Sequence, residues 1–383
     1  MKDRKVYLKN IKRVVIKIGS SSITSRKGGL DLDNMTRLIK EAKNLIKKGM
    51  EVILVSSGAM AAGFEYLGIK KNLKETSDIS LLQAIAAVGQ VELMKAYRSL
   101  FLSKGIKVGQ ILLTHEDTTM REQYLNIKST IKNLLKLGVV PVINENDTVA
   151  VDEIKFGDND ELGAMAAILA EADLLIILSD IEGMHSCDPK IHSEAELLSF
   201  VEKIDNGVED SAGGIGSSYG IGGMLTKIKA ARICTFSGIG MVIANSRRDK
   251  VLPDILEGKN IGTFFKPRTG TKVKSIKRWI AFGVRTKGCI TIDRGAQEAV
   301  TKKGTSILSV GITAVQGKFN RGDTLKVMSA ENVIVAKGIS SFSSDDIKKI
   351  MGKNEKRILP LYGKELCGEV INRDCLVVFD NEI

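Results

Sequence analysis

Short β-branched apolar runs alternate with helical patterns through the first 265 residues, and this alternation is the feature that most constrains the fold. Arg13–Ile18, Glu51–Val55 and 174–178 are typical of strands buried on both faces. Helical periodicity lies between such runs at short spacing, as over 33–48, 78–104 and 121–137. Short strand–helix connections favour a mostly parallel sheet with helices on both faces. The sequence therefore predicts a three-layer αβα sandwich.

The most informative junction runs from 139 to 160. An apolar strand pattern over 139–143 stops at four polar residues, and a hairpin-like segment (150–156) separates them from Gly157-Asp158-Asn159-Asp160 and a helical pattern over 161–171. Open α/β sheets bind ligands at the carboxyl ends of their strands. Carboxylates there suit cations and amides suit anions, which fits a small zwitterion or a phosphate transfer. The alternative is two Asx-rich turns that cap their elements for local reasons. The four residues after the strand are Asn144, Glu145, Asn146 and Asp147.

Two further junctions place glycine and hydroxyl residues directly after a strand. Lys17 lies inside the first apolar run, which ends at Gly19 and three serines. Its ammonium either snorkels to solvent or points at a phosphate. The second strand is followed by Ser56, Ser57 and Gly58 and then by a helical pattern. Helix amino termini bind anions through free N–H groups and the helix dipole.

A glycine-rich segment over 206–223 contains seven glycines and predicts a loop. It leads into Gly222-Gly223-Met224-Leu225-Thr226-Lys227 and a helix to about 237. Glycines let backbone N–H groups approach a phosphate, and a lysine matches its charge. Neither G-x-x-x-x-G-K-[ST] nor G-x-G-x-x-G occurs in the sequence. An enzyme that handles phosphate with this sequence must use a scaffold other than the P-loop.

Composition indicates a cytoplasmic protein of two or three domains. The net charge of +12 is spread over many lysines and does not identify a nucleic-acid binder. The five cysteines show no C-x-x-C spacing, and the three histidines show no ligand pairing, which argues for reduced thiols and against structural zinc. The amino terminus is charged, and no apolar run nears the ~20 residues needed to span a bilayer.

The composition and the spacing of the apolar runs change after residue 265. The stretch 266–287 holds eight basic residues and no acidic one, with Trp279 inside it. Beyond it, short apolar runs at ~10-residue spacing alternate with glycine turns, which predicts a small β-barrel. We therefore expect a catalytic domain over 1–275 and a barrel-like domain over 276–383. Strands are expected over 289–292, 306–310, 324–328, 333–336 and 376–379, with short helices near 296–303 and 344–351.

The junctions together resemble the amino acid kinase family, and within it the glutamate 5-kinases of proline biosynthesis. The resemblance covers nearly the full length, and 290–340 resembles a PUA domain. Two departures keep the hydroxyl of the threonine that is usual in relatives, namely Ser56 and Ser179. The motifs are V-I-K-I-G-S-S (15–21), V-S-S-G-A-M-A-A-G (55–63), I-N-E-N-D (143–147), F-G-D-N-D (156–160), S-D-I-E-G (179–183) and G-G-M-L-T-K (222–227).

The resemblance implies transfer of a phosphoryl group from ATP to the γ-carboxylate of L-glutamate, with Mg²⁺ carried on the ATP phosphates. It implies that Lys17 and Lys227 flank the transferred phosphoryl and that Asp160 holds both ammonium groups. It also implies dimers or tetramers, inhibition by proline and hand-over to glutamate-5-semialdehyde dehydrogenase. The substrate-binding residues implied are Ser57, Gly58, Asn144, Asp147 and Asn159. The nucleotide-binding residues implied are Lys17, Gly19, Ser179, Asp180, Gly222, Gly223, Met224, Thr226 and Lys227.

Two rival functions remain open at this point. A sibling kinase could act on acetylglutamate, aspartate, carbamate or a nucleotide, although the paired N-E-N-D and G-D-N-D motifs with a PUA-like tail weigh against it. An RNA-binding protein is the rival from another class, because PUA domains occur in RNA-modifying enzymes and 266–287 is basic. A solvated hinge is the ordinary explanation of such a basic stretch, and the few aromatic residues around Trp279 do not support base stacking.

Overall fold

The structure is a computed structural model that describes residues 3–25, 28–69, 78–149, 159–187, 189, 191–192, 194–205, 208, 223–268, 275–354, 358 and 368–379. The chain divides into two compact units, residues 1–272 and 273–383. Two of the expected segments, the hairpin-like stretch 150–156 and most of the glycine-rich loop 206–223, lie outside the described residues.

The first unit is built on a mostly parallel sheet, as predicted. Its described strands have the order β3-β4-β2-β1-β5-β7-β8-β6, and only β7 and β8 pair antiparallel. The chain moves outward from β1 to β2 on one side, and β5 continues to β7 on the other. The border between β1 and β5 is thus a topological switch point, where α/β sheets bind ligands. The strands are β1 (Arg13–Ile18), β2 (Glu51–Val55), β3 (Lys107–Leu113), β4 (Val139–Glu145), β5 (Leu174–Ser179), β6 (Phe200–Val201), β7 (Gly240–Asn245) and β8 (Thr263–Phe265).

Helices join these strands, and those predicted over 33–48, 78–104, 121–137 and 161–171 begin and end within two residues of those bounds. In α3, the Asp31 carboxylate accepts a hydrogen bond from Asn34 N, Met35 and Leu38 are buried, and Gly49 follows with φ +84°. This combines an N-cap, an apolar face and a left-handed glycine. The helices are α1 (Lys5–Leu8), α2 (Ser20–Ile23), α3 (Leu32–Lys47), α4 (Ala59–Tyr66), α5 (Ile79–Leu102), α6 (His115–Thr119), α7 (Arg121–Lys136), α8 (Asn159–Leu169), α9 (Met224–Phe236) and α10 (Val251–Leu256).

Two glycines allow α4 and α5 to pack with their backbones almost in contact. A Cβ on Gly89 would lie 1.7 Å from Ala59 O, and one on Gly63 would lie 2.1 Å from Ile85 O. By length and composition, α5 is long and apolar enough to cross a membrane, so the expectation that no apolar segment nears this length was too strict. In this fold α5 packs on α4, and its Tyr97 and Phe101 side chains are fully buried. Helix α5 is therefore part of the packed first unit.

The second unit contains a described five-stranded sheet, ordered β11-β9-β12-β13-β15, and a separate pair, β10 with β14. Its core includes Ile290, Val327 and Ile347. The prediction for 306–310 was partly wrong, because a strand of two residues is followed by a 3-10 turn (Ser309–Gly311). Strands β11 and β14 were missed. The elements are α11 (Ser275–Arg278), β9 (Gly288–Ile292), α12 (Arg294–Lys303), β10 (Ile307–Leu308), β11 (Ile312–Gln316), β12 (Thr324–Met328), β13 (Ile334–Ile339), α13 (Ser344–Ile350), β14 (Glu369–Ile371) and β15 (Leu376–Val378).

Candidate active site

A buried carboxylate lies between two buried lysines near the carboxyl ends of the central strands. Asp160 Oδ1 is 2.5 Å from Lys17 Nζ, and Asp160 Oδ2 is 3.0 Å from Lys227 Nζ. The three side chains are 0%, 3% and 9% exposed. Two ammonium groups and one carboxylate leave a net positive charge in a site that water barely reaches. Such a charge is costly unless an anion compensates it, so this centre is suited to a phosphate group.

The alternation of β1 explains why Lys17 does not reach solvent. Val14, Ile16 and Ile18 point into the apolar core on one face of the sheet, so Lys17 points to the other face. Helix α8 packs over that face, and a Cβ on Gly163 would lie 3.3 Å from Lys17 Cβ. Asp160 lies three residues before Gly163, on the same side of the helix. The glycine therefore leaves room for the lysine stem while the aspartate meets its ammonium, and the snorkelling alternative is excluded.

Helix α8 begins at Asn159, two residues earlier than predicted. The prediction was based on apolar periodicity, and Asn159 and Asp160 are polar residues that point inward. Their position in the first turn also suits the helix dipole, which favours a negative charge there.

Helix α9 brings Lys227 and Thr226 to the same carboxylate. The Thr226 hydroxyl lies 3.2 Å from Asp160 Oδ2, and Lys227 Nζ donates to Gly223 O at 3.0 Å. Gly223 is the N-cap residue of α9, and Met224 is buried at its start. Gly222, which was predicted to bind nucleotide, lies outside the described residues.

A chain of amide groups lies next to the charged centre. Asn159 Nδ2 donates to Ser56 O at 2.5 Å and to Asn144 Oδ1 at 2.9 Å. Asn144 Nδ2 in turn donates to Gln90 Oε1 at 2.7 Å. The chain thus joins β2, β4, α5 and α8 at one edge of the sheet. Sequence reasoning named Asn144 and Asn159 and missed Gln90.

Helix α5 supplies a second polar contact to this edge. Tyr97 OH and Ser56 Oγ lie 2.9 Å apart, and burial raises the pKa of Tyr97 to about 12. Gln90 and Tyr97 are seven residues apart, so they lie on the same buried face of α5. Two polar side chains at this spacing, on a helix face that is otherwise apolar, are the signal that could have revealed both residues.

The turn after β2 holds a buried hydroxyl that has no partner among the described residues. Ser57 is 5% exposed, and its Oγ makes no hydrogen bond to any described residue. Gly58 follows with φ +92°, a backbone conformation that favours glycine, and serves as the N-cap of α4. Since buried polar atoms are nearly always hydrogen-bonded in native proteins, an unpartnered hydroxyl here indicates a place for a ligand.

The switch point itself is formed by the ends of β1 and β5. Gly19 N donates to Leu178 O at 3.0 Å, and a Cβ on Gly19 would lie 3.3 Å from that oxygen and 3.7 Å from Lys17 Nζ. The glycine therefore keeps open the space beside the lysine. On β5, the Ser179 hydroxyl donates to Asp180 Oδ1 at 3.0 Å, and the Asp180 side chain is exposed.

Asp147 follows β4 in a half-buried position. Burial and, to a smaller extent, the nearby negative charge of Glu145 raise the pKa of Asp147 to about 6. Burial also raises the pKa of Glu145. No cation lowers the pKa of either carboxylate within the part of the chain that the structure describes, so this corner is suited to a positively charged group.

No cluster of three or more histidine, cysteine, aspartate or glutamate side chains within the described ranges could hold a metal ion. The buried carboxylate of the site, Asp160, faces two lysines. The histidines His185 and His192 and the free thiols of Cys187, Cys234, Cys289 and Cys375 take no part in the site, and Cys367 lies outside the described residues.

The site and its fold match one family over most of the first unit. Residues 12–245 match the amino acid kinase family, and residues 288–361 match the PUA domain. The chain therefore belongs to the amino acid kinase family.

Within that family, the chain is similar along nearly its whole length to glutamate 5-kinases. It is 46% identical over 375 residues to the one from Syntrophotalea carbinolica, which covers 98% of this chain and 99% of the relative. It is 43% identical over 368 residues to the one from Thermoanaerobacter sp., with coverage of 96% and 98%. Among solved structures, a UMP kinase from Bacillus anthracis overlaps 68% of this chain and 97% of its own, with 16% identity and a TM-score of 0.46.

Proposed function

We propose that this protein transfers the γ-phosphoryl group of ATP to the γ-carboxylate of L-glutamate, giving L-glutamyl 5-phosphate and ADP, the first step of proline biosynthesis. The observation that carries this proposal is the buried Lys17–Asp160–Lys227 centre, which has a net positive charge and lies by the topological switch point. Relatives named glutamate 5-kinase at 43–46% identity over nearly the full chain support glutamate as the acceptor.

The reaction joins two anions, so its main requirement is positive charge on both sides of the transferred group. A carboxylate oxygen of glutamate forms a bond to the γ-phosphorus while the bond between that phosphorus and the β–γ bridging oxygen breaks. The γ-carboxylate is already ionised at neutral pH and has no proton to lose, so no general base is required. Lys17 and Lys227 would neutralise charge on the phosphoryl oxygens, and Asp160 would hold both ammonium groups in position.

The nucleotide would lie against the ends of β1 and β5 and the start of α9. Gly223 would offer a backbone N–H group, and Gly19, whose own N–H donates to Leu178 O, would leave room for a phosphate beside Lys17. Ser179, Asp180, Gly222, Met224 and Thr226 would line the remaining nucleotide site. Mg²⁺ would be carried by the ATP phosphates, as is usual for an ion that keeps several of its waters.

The acceptor would occupy the other side of the charged centre. Ser57 and the backbone at Gly58 would donate to carboxylate oxygens, and Asn144 and Asn159 would fix the wall formed by their hydrogen-bonded amides. Asp147 would bind the substrate ammonium, which suits a half-buried carboxylate whose pKa is raised to about 6.

The remaining partners are those that the family resemblance implies. An acyl phosphate hydrolyses readily in water, so we propose hand-over in the cytoplasm to glutamate-5-semialdehyde dehydrogenase. We also propose a homodimer or homotetramer and feedback inhibition by proline. A sibling kinase acting on another acceptor and an RNA-binding role of the second unit are the less favoured alternatives.

Measurement of ADP release with glutamate, aspartate, acetylglutamate, carbamate and a nucleoside monophosphate as acceptors tests the proposal. We expect kcat/KM for glutamate to exceed that for each other acceptor by about 10²-fold or more, since polar sites discriminate strongly among substrates. A higher kcat/KM with another of these acceptors would contradict the assignment of glutamate as the substrate. Filter binding of total RNA at physiological salt tests the RNA alternative, which requires salt-dependent retention.

A further inference from the structure

In the hydrogen-bonded chain of amide side chains beside the charged centre, one end determines which atom of each amide donates and which accepts. Ser56 O is a carbonyl oxygen and can only accept a hydrogen bond, so Asn159 must turn its Nδ2 toward it. That amino group also donates to Asn144 Oδ1, which leaves Asn144 Nδ2 to donate to Gln90 Oε1. Each amide has one acceptor oxygen and one donor nitrogen. The chain therefore ends with Gln90 Nε2 as a surplus donor.

This surplus donor has no partner among the described residues. Gln90 is 9% exposed, and its Nε2 is buried without a hydrogen bond. Native proteins satisfy nearly all buried donors, so an exception that ends a fully directed chain at the edge of an active site calls for a ligand acceptor. Ser57 Oγ, in the turn after β2, the strand that pairs with β4, is a second buried group without a partner among the described residues.

We infer that Gln90 is a substrate-binding residue whose Nε2 donates to the α-carboxylate of the acceptor. This inference rests on the proposed function. Glutamate offers acceptors only at its two carboxylates, since its ammonium can only donate. The reacting γ-carboxylate must lie at Lys17 and Lys227, next to Asp160. Gln90 is separated from that centre by Asn159 and Asn144, so it faces the other end of the substrate and meets the α-carboxylate.

Gln90 thereby contributes to acceptor specificity. An acceptor without the second carboxylate leaves the Nε2 donor unpartnered, and a site built to hydrogen-bond a substrate group rejects analogues that lack it. The close contact of Gly89 with Ala59 holds this part of α5 against the site. A residue on a helix outside the conspicuous polar junctions thus selects acceptors that carry two carboxylates.

Two variants separate the donor from the rest of the side chain. Gln90→Glu keeps an oxygen to accept from Asn144 but replaces the donor with a second acceptor. Gln90→Met keeps the length and removes both. Gln123→Glu on α7, where Gln123 is exposed, is the matched control. We expect the KM for glutamate to rise about tenfold or more in Gln90→Met and further in Gln90→Glu, because hydrogen bonds to charged groups are among the strong ones.

The KM for ATP should stay within about twofold, since the lost contact involves one substrate. The rise in Tm that glutamate produces should disappear in Gln90→Glu, while the rise produced by ATP remains. Glutarate and 4-aminobutyrate, tested as competing ligands, distinguish the two carboxylates. Gln90→Glu should weaken the binding of glutarate, which keeps both carboxylates. The binding of 4-aminobutyrate, which lacks the α-carboxylate, should be unchanged.

An unchanged KM for glutamate in Gln90→Glu, or equal weakening of glutarate and 4-aminobutyrate, would overturn the assignment. If one variant fails to fold, the other decides. Absence of glutamate-dependent ADP release in the unsubstituted protein would instead refute the proposed function, and the two failures are therefore distinguishable.

Discussion

Asp160 holds two ammonium groups with one carboxylate, and this stoichiometry determines what each substitution does. Removing one lysine leaves a neutral buried pair, whereas removing the aspartate leaves two buried like charges without a partner. Uncompensated buried charge costs several kcal/mol, whereas a buried pair is close to neutral in stability. The lysine substitutions therefore probe the chemistry, while substitutions of Asp160 mainly affect folding.

Lys227→Ala is expected to lower kcat by ~10²-fold or more, because an electrostatic contact to the transferring phosphoryl is lost. The KM for glutamate should change much less, since Lys17, Ser57, Asp147 and Gln90 would still contact this substrate. Lys229→Ala is the matched control, because Lys229 lies on the same helix with its side chain 65% exposed and pairs with Glu161 at the surface. Steady-state ADP release provides both constants. A near-normal kcat in Lys227→Ala would remove it from the catalytic role.

The raised pKa of Asp147, about 6, predicts a pH dependence of substrate binding. As the pH falls through about 6, Asp147 gains a proton and loses the charge that would bind the substrate ammonium. The kcat/KM for glutamate should therefore fall by up to about tenfold per pH unit below this value. The γ-carboxyl of glutamate, with a pKa near 4.3, stays ionised in this range. A pH–rate profile measures the effect, and Asp147→Asn should be low and flat between about pH 5 and 7.

The same carboxyl should lower the stability of the free protein at neutral pH. Its pKa is higher in the folded protein than the ordinary value of 3.8, so between about pH 4 and 6 the folded state binds more protons. Stability from this group therefore decreases as the pH rises through that window. Asp147→Asn should have a higher Tm than the unsubstituted protein at pH 7, with the difference shrinking toward pH 4. A lower Tm at pH 7 would contradict this.

At the scale of secondary-structure elements, α5 can pack closely against α4, and so lie beside the site, because Gly89 has no Cβ. Gly89→Ala would place a Cβ 1.7 Å from Ala59 O, and backbone atoms of α4 and α5 would have to separate. We expect a loss of stability of about 1–3 kcal/mol, as for other overpacked contacts. The KM for glutamate should rise as well, because Gln90 moves away from Asn144.

Gly295→Ala is the matched control for this prediction. Gly295 lies in α12, and the nearest contact of an added Cβ would be an ordinary 3.4 Å to Asp293 Oδ1. Alanine favours the helix over glycine, so this change should be neutral or slightly stabilising. Thermal unfolding of both variants compares them, and an equally mild effect of Gly89→Ala would contradict the close packing of α4 and α5.

Sequence patterns predicted best those elements whose apolar side chains keep one periodicity from end to end. Helix α3 and strand β2 have uninterrupted apolar periodicity and clear end signals, so their bounds were found within one residue. The ion pair of Lys17 could not be read from β1 alone, because its partner Asp160 comes from α8 and shares its carboxylate with Lys227 on α9. Arg4 is similar: it lies in a charged amino terminus yet is 2% exposed and donates to Ile261 O at 2.7 Å.

Short strands were harder to predict for a different reason. Strands β6, β10 and β14 have two or three residues each, too few for a period of two to show. Their pairing partners lie far along the chain, as for β10 with β14. Tertiary contacts, and not local propensity, therefore determine these elements.

At the scale of the whole molecule, each unit has a hydrophobic core of its own. The core of the first unit includes Val14, Leu38 and Ile176, and that of the second includes Ile290, Leu325 and Ile371. Every residue proposed to carry chemistry lies at or before Lys227. A unit that buries its own core can fold alone, since burial of apolar surface is the main stabilising contribution.

We therefore expect a chain that ends at residue 275 to unfold in a single cooperative transition and to retain glutamate-dependent ADP release. Compared with the full-length protein, this shorter chain should differ in its oligomeric state and in its inhibition by proline. The chain from residue 276 onward, made separately, should also unfold cooperatively and show no kinase activity. Circular dichroism and ADP release test both halves. A soluble, cooperatively folded 1–275 chain without ADP release would contradict the prediction, because it would show that the second unit helps to form the active site.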